Sequence, residues 1–226
     1  MAQLHYWGWC DELISKPHLL IAGSTGSGKS VLINSIMYTL LTYQPNEKQV
    51  MLIDPKRVEL YGYKRVPHCI GYASETPDIV ALLRRACEIM DQRYTEMQKE
   101  GKKMHEGPDI YVVIDEFADL MVLTKDAEPF IQRLGQLGRA ARVHMIIATQ
   151  APNRTVLKAN IILNLTDRIA LHCNDPIESK QILGQKGAET LPRYGKCIYK
   201  NPEGMWLSAV PFTPEEDITA RINFWT

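Results

Sequence analysis

The sequence has no excess of charge of either sign. Lys plus Arg and Asp plus Glu number 26 each among 226 residues, so no whole-domain field draws an isolated copy to nucleic acid or anionic lipid. Long apolar runs are missing as well. None approaches the roughly 18–20 residues that a membrane span requires, and the N-terminal MAQLHYWGWCDE lacks the pattern of a signal peptide. The expectation is a cytoplasmic domain that makes no membrane contact itself, excised from a longer protein that could be anchored elsewhere. Cysteines are few and scattered: Cys10, Cys69, Cys87, Cys173 and Cys197 form no CxxC pair and have no His at metal-ligand spacing. They read as reduced thiols, and no zinc site is indicated. Internal repeats and low-complexity linkers are also absent, so residues 1–226 are read as one domain with a core over about 17–200.

What is present is alternation. Short apolar runs at 18–22, 49–54, 109–115, 143–149 and 167–173 take turns with longer amphipathic stretches at 29–43, 77–100, 126–141 and 175–183. That order predicts an α/β fold, a mainly parallel sheet with helices on both faces. Near the end, 196–200 and 205–210 flank Asn201-Pro202-Glu203-Gly204, a hairpin signature, and a short helix is expected from Pro214.

The segment Gly23-Ser24-Thr25-Gly26-Ser27-Gly28-Lys29-Ser30, followed by Val31, fits the phosphate-loop pattern between a predicted strand and a predicted helix. Its glycines let backbone N–H groups wrap a polyphosphate, and the following helix presents its positive end. Lys29 is expected to reach the outer phosphates of ATP, and the Ser30 hydroxyl to bind Mg²⁺.

IYVVIDEF places Asp115 and Glu116 at the end of another strand. Asp115 suits the magnesium shell, and Glu116 the water that attacks the terminal phosphate. A strand-end Asp-Glu is on its own equally at home in a solvated turn or as a helix cap; the phosphate loop upstream favours the catalytic reading. Gln150, ending VHMIIATQ, is expected to sense the γ-phosphate, and Asp54 and Lys56 lie at a further strand end, the edge where open α/β sheets bind ligands.

PHLLIAGSTGSGKSVLIN, MLIDPKRVEL, VVIDEFADLM, LGRAARVHMIIATQ and ESKQILGQKGAETLPRYGKCIYK, in this order, resemble the motor domain of the FtsK/SpoIIIE DNA translocases over most of 17–200. The resemblance implies a RecA-like P-loop NTPase fold, and ATP hydrolysis by a homo-oligomeric, usually hexameric, ring that moves double-stranded DNA. It assigns Lys29 and Ser30 to nucleotide and magnesium, Asp115 and Glu116 to metal and water activation, and Gln150 to γ-phosphate sensing. Ala151-Pro152-Asn153-Arg154 departs from the family's usual Arg-Pro-Ser, 156–172 is longer than its usual path, and Lys180 stands where Arg is common. These departures resemble motors of integrative elements, plasmids and phages, and so suggest DNA transfer.

A ring also implies an arginine reaching the neighbouring subunit's site. Arg168 is the first choice because it matches the family's Arg-Ile position; Arg154, Arg139 and Arg142 follow. Lys125, Arg133 and Lys158 are candidate DNA contacts, whereas the basic run 99–103 reads as a solvated helix end. The alternative reading is a protein-export ATPase of the type VII secretion kind, whose chains usually carry several such domains in tandem.

Overall fold

A computed structural model describes the backbone of residues 6–226 and side chains from Trp9 onward. Residues 1–5, which open the segment read above for a leader, lie outside the described residues. The elements run α1 (Tyr6–Ile14), β1 (His18–Ala22), α2 (Lys29–Leu40), β2 (Lys48–Ile53), β3 (Cys69–Ala73), α3 (Thr76–Glu100), β4 (Asp109–Ile114), α4 (Phe117–Leu123), α5 (Glu128–Leu137), β5 (Val143–Thr149), α6 (Ala159–Ile162), β6 (Asp167–Ala170), α7 (Pro176–Leu183), β7 (Lys196–Asn201), β8 (Gly204–Ala209) and α8 (Glu215–Trp225).

The eight strands form one sheet in the order β3-β2-β4-β5-β1-β6-β7-β8. The first six are parallel, and β7 and β8 add antiparallel at one rim. Side chains alternate across the sheet as the two-residue period requires. Leu20, Ala22, Val112 and Ile114 meet α3, α5 and α7 on one face. Leu19, Ile21, Tyr111 and Val113 meet α1, α2 and α8 on the other. Both faces are therefore covered, which is why the central strands are continuous apolar runs rather than alternating ones.

All five expected core strands are present. The run at 167–173 is shorter than expected, because after Leu171, whose N–H still donates to the Ala22 carbonyl, the backbone turns to other partners: the His172 carbonyl accepts from Ser24 N–H, and Cys173 N–H donates to the Ala188 carbonyl. The helix expected at 126–141 stops at Leu137. A Cβ on Gly138 would stand 2.2 Å from the Val143 carbonyl, so this glycine lets the chain double back closely into β5. The predicted hairpin forms, its turn fixed by Asn201 Oδ1 accepting from Glu203 and Gly204 N–H.

This order brings the carboxyl ends of β2, β4, β5, β1 and β6 side by side, and Lys29, Ser30, Asp54, Lys56, Asp115, Glu116 and Gln150 lie at that edge, whereas Arg168 sits within β6 and Arg142 at the opposite, amino end of β5.

Candidate nucleotide site

The loop between β1 and α2 is held at both ends. Gly23 N–H donates to the Thr149 carbonyl, and Ser24 gives both its N–H, at 2.8 Å, and its hydroxyl, at 3.0 Å, to the His172 carbonyl. A Cβ on Gly23 would meet Leu171 Cβ at 2.6 Å, so only glycine permits this approach of the two strands. Gly26 and Gly28 take left-handed φ values of 74° and 96°, and Gly28 caps α2. The first-turn N–H groups of α2, from Lys29 through Val31, lack intrahelical partners and carry the helix's positive end. The Ser27 hydroxyl is buried with no partner among the described residues. An anion cradle with an orphaned hydroxyl beside it fits a polyphosphate.

Lys29 Nζ donates to Asp115 Oδ1 at 2.5 Å, and both side chains are buried. Ser30 Oγ donates to Glu59 Oε1 at 2.5 Å. Glu59, the last acidic residue of LIDPKRVEL, was absent from the sequence-based site; its signal was the position one turn past the strand-end Asp54. Asp54 itself is fully buried, and its Oδ2 accepts from Leu60 N–H, which shapes this turn so that Glu59 faces α2. Ser30 is thus paired with one carboxylate, Glu59, and the adjacent Lys29 with another, Asp115; hydroxyl and carboxylate oxygens are hard donors that suit Mg²⁺.

Glu116 has a left-handed backbone, φ 55°, at the start of α4. Its Oε1 accepts from Thr149 Oγ1 at 3.2 Å and from Gln150 N–H at 3.0 Å. Its Oε2 is buried and accepts no hydrogen bond, with Lys56 Nζ 3.6 Å away. Gln150 Oε1 accepts from Thr25 Oγ1 at 2.8 Å, joining the end of β5 to the phosphate loop. Lys29, Ser30, Asp115, Glu116 and Gln150, dispersed over more than a hundred positions of sequence, are therefore gathered at one edge.

A profile of the FtsK/SpoIIIE family matches residues 9–109 and 97–154. The chain belongs to the FtsK/SpoIIIE family. The DNA translocase FtsK of Clostridium tetani (strain Massachusetts / E88) is 39% identical to this FtsK/SpoIIIE chain over 233 residues, covering 95% of it and 31% of the relative. The DNA translocase SpoIIIE of Bacillus subtilis (strain 168) is 38% identical over 210 residues, covering 83% and 27%. The chain thus spans about a third or less of the length of these curated relatives. Among solved structures, the pCW3 conjugation coupling protein TcpA, determined with ATPγS, matches with a TM-score of 0.82 at 24% identity, over 95% of this chain and 66% of that one. That likeness carries the fold alone: an α/β P-loop fold with a mostly parallel sheet.

Arg168 does not lie at the nucleotide edge. It pairs in register with Leu20, two residues before the end of β1. Its guanidinium donates to the carbonyls of Leu165, Ile182 and Ile162 at 2.6, 3.0 and 2.7 Å. Burial lowers its pKa, and the three carbonyls take three of its five N–H donors inside its own subunit. As placed, this side chain is engaged within its own subunit. Arg142 is likewise engaged, bidentate on Asp109. Arg154 is exposed and has no side-chain partner among the described residues. Of the candidate DNA contacts, Arg133 is held bidentate by Asp91 and Lys158 by Glu128, whereas Lys125 is exposed. In the run 99–103, Lys102 is paired with Glu100 and Glu106.

Proposed function

We propose that this domain is the ATP-hydrolysing motor of a double-stranded DNA translocase, working as a ring of identical subunits. The observation that carries the hydrolytic part is the divided carboxylate of Glu116: one oxygen is fixed by Thr149 and Gln150, and the other is buried with no hydrogen-bond donor. A positioned base with one oxygen free of hydrogen bonds suits abstraction of a proton from the water that attacks the terminal phosphate. Lys29 neutralises charge on the outer phosphates, Gln150 links the state of that end of the loop to β5, and the loop N–H groups fix the chain of phosphates. Mg²⁺ would be held by Ser30 and Asp115, with Glu59 orienting the Ser30 hydroxyl; it supplies charge neutralisation at the phosphate oxygens. The identity to DNA translocases of two bacteria supports DNA as the cargo.

With Arg168 engaged in its own subunit, Arg154, four residues past Gln150, becomes the first candidate for the arginine supplied to a neighbour. Ring assembly at high protein concentration and ATPase stimulated by duplex DNA test the reading. An assembled ring whose ATPase ignores DNA would remove the translocase. Lys29→Ala is an imperfect control, because it also strips buried Asp115 of its countercharge, a defect that commonly costs about 3–5 kcal/mol; Glu116→Gln keeps the shape of the site and is the cleaner one.

A further inference from the structure

Arg193 belongs to none of the nucleotide motifs, yet it lies over the phosphate loop. Its Nη2 donates to the Thr25 carbonyl at 3.4 Å. Nη2 and Nε stand 3.6 and 3.7 Å from the position a Cβ on Gly26 would take, and the Tyr194 hydroxyl stands at 4.0 Å from it. The approach is built into the fold. The His172 carbonyl holds Ser24, while the same residue's Nδ1–H donates to the Leu191 carbonyl at 2.8 Å. Leu191 is packed into the core, and Gly195, at φ 78°, turns the chain into β7. Residues 192–194 are thus carried across the mouth of the loop from an anchored base.

The surroundings of Arg193 do not explain its charge. Its side chain is exposed, and no carboxylate lies within ion-pair distance of it among the described residues. Its one hydrogen bond is long and made to a neutral carbonyl, leaving four of its five N–H donors uncommitted. Thr25 is bracketed: Gln150 engages its hydroxyl and Arg193 its carbonyl. A planar guanidinium with spare donors beside an anion cradle matches the fork geometry of phosphate oxygens.

We propose that Arg193 is a nucleotide-binding residue acting within its own subunit, its guanidinium contacting the polyphosphate of ATP at the Thr25–Gly26 side of the loop. The inference rests on the reading of the loop as an ATP site. It supplies a cation from the same chain, independent of any arginine offered by a neighbour.

Calorimetric titration of wild type, R193A and R193K with magnesium ATPγS and with magnesium ADP tests it. A charged hydrogen bond partly open to solvent corresponds to about a tenfold rise in Kd for R193A. R193K, which keeps the charge but not the fork, should fall between. Because the side chain is exposed, the melting temperature of R193A should match wild type, separating loss of contact from loss of fold. A weakened ATPγS affinity alone assigns the contact to the terminal phosphate; equal losses on both nucleotides assign it to the inner ones. Wild-type binding with an unchanged R193A affinity for both nucleotides overturns the inference. A wild type that bound neither nucleotide would remove the ATP-site reading and the inference with it.

Discussion

Lys56 Nζ lies 3.6 Å from Glu116 Oε2 and 3.2 Å from Asp119 Oδ2, so the ammonium faces the one oxygen of the Glu116 carboxylate that accepts no hydrogen bond. Burial works against the charge on Lys56, but the bond to Asp119 and the charges of Glu116 and Asp119 outweigh it and raise its pKa. The cation is therefore a constant feature of the site near neutral pH.

Glu116→Gln preserves an acceptor for Thr149 and Gln150 while removing the base. ATP hydrolysis should fall by about 10²–10⁴ with nucleotide affinity retained, read by steady-state turnover beside calorimetry. Lys56→Met should lower kcat by about two- to fivefold, the scale of one half-exposed charge contact, and leave affinity unchanged, because Lys56 faces Glu116 rather than the loop. A Lys56→Met variant that lost affinity and kept kcat would contradict this geometry.

Glu59 holds the Ser30 hydroxyl at 2.5 Å. Partners one shell out from a metal commonly change its affinity by about 10–100-fold when removed. Glu59→Ala should therefore raise the Mg²⁺ concentration needed for half-maximal nucleotide binding by at least about tenfold, and Glu59→Gln, which keeps an acceptor, by less. A magnesium titration at fixed nucleotide distinguishes the two.

Arg168 ties α6 and α7 to the start of β6 through three carbonyls. Arg168→Ala leaves these acceptors without their donor and should destabilise the domain by about 2–4 kcal/mol, visible in urea unfolding of the isolated domain. A residue serving only the neighbour's site would leave that unfolding curve in place and depress ATPase in mixed rings instead.

His18 begins β1, at the edge of the sheet opposite the nucleotide site. Burial, and secondly the charge of His144, lowers its pKa from 6.5 to about 3. The geometry agrees: its Nδ1 accepts from Met145 N–H, so it is held neutral. The unfolded chain takes up this proton as pH falls below 6.5 and the folded chain does not until about 3, so folding stability contributed by His18 declines across that window as pH falls, by up to about 1.4 kcal/mol per pH unit. Above pH 6.5 it is flat. His18→Asn, which does not titrate there, should lose less stability between pH 6.5 and 4 than wild type, by thermal melts at each pH.

The strands and the phosphate loop were legible because they rest on local patterns: apolar runs of the right length, and glycines at fixed spacing ahead of Lys29. Asp115, Glu116 and Gln150 were legible as strand ends. The edge strand β3 was hidden, since CIGYA contains a glycine and no alternation. Gly71 is there because a Cβ would stand 2.4 Å from Leu82 Cδ1, a reason that exists only once α3 has packed. The short helix α4 was hidden behind the Asp-Glu motif. Arg193 depends on a turn that brings a distant side chain to the loop, which no spacing in the sequence encodes, and for Glu59 the only signal was its place just past the strand-end Asp54. The partners of Arg168 were hidden for the same reason: they are carbonyls supplied by α7 and the residues around α6.

Ser24 and Leu191 are both fastened to His172, the first through its carbonyl and the second through its ring. One residue therefore anchors two segments: His172 fastens the start of the phosphate loop and, through Leu191 and 192–195, the strand that opens the β7–β8 hairpin at the rim of the sheet.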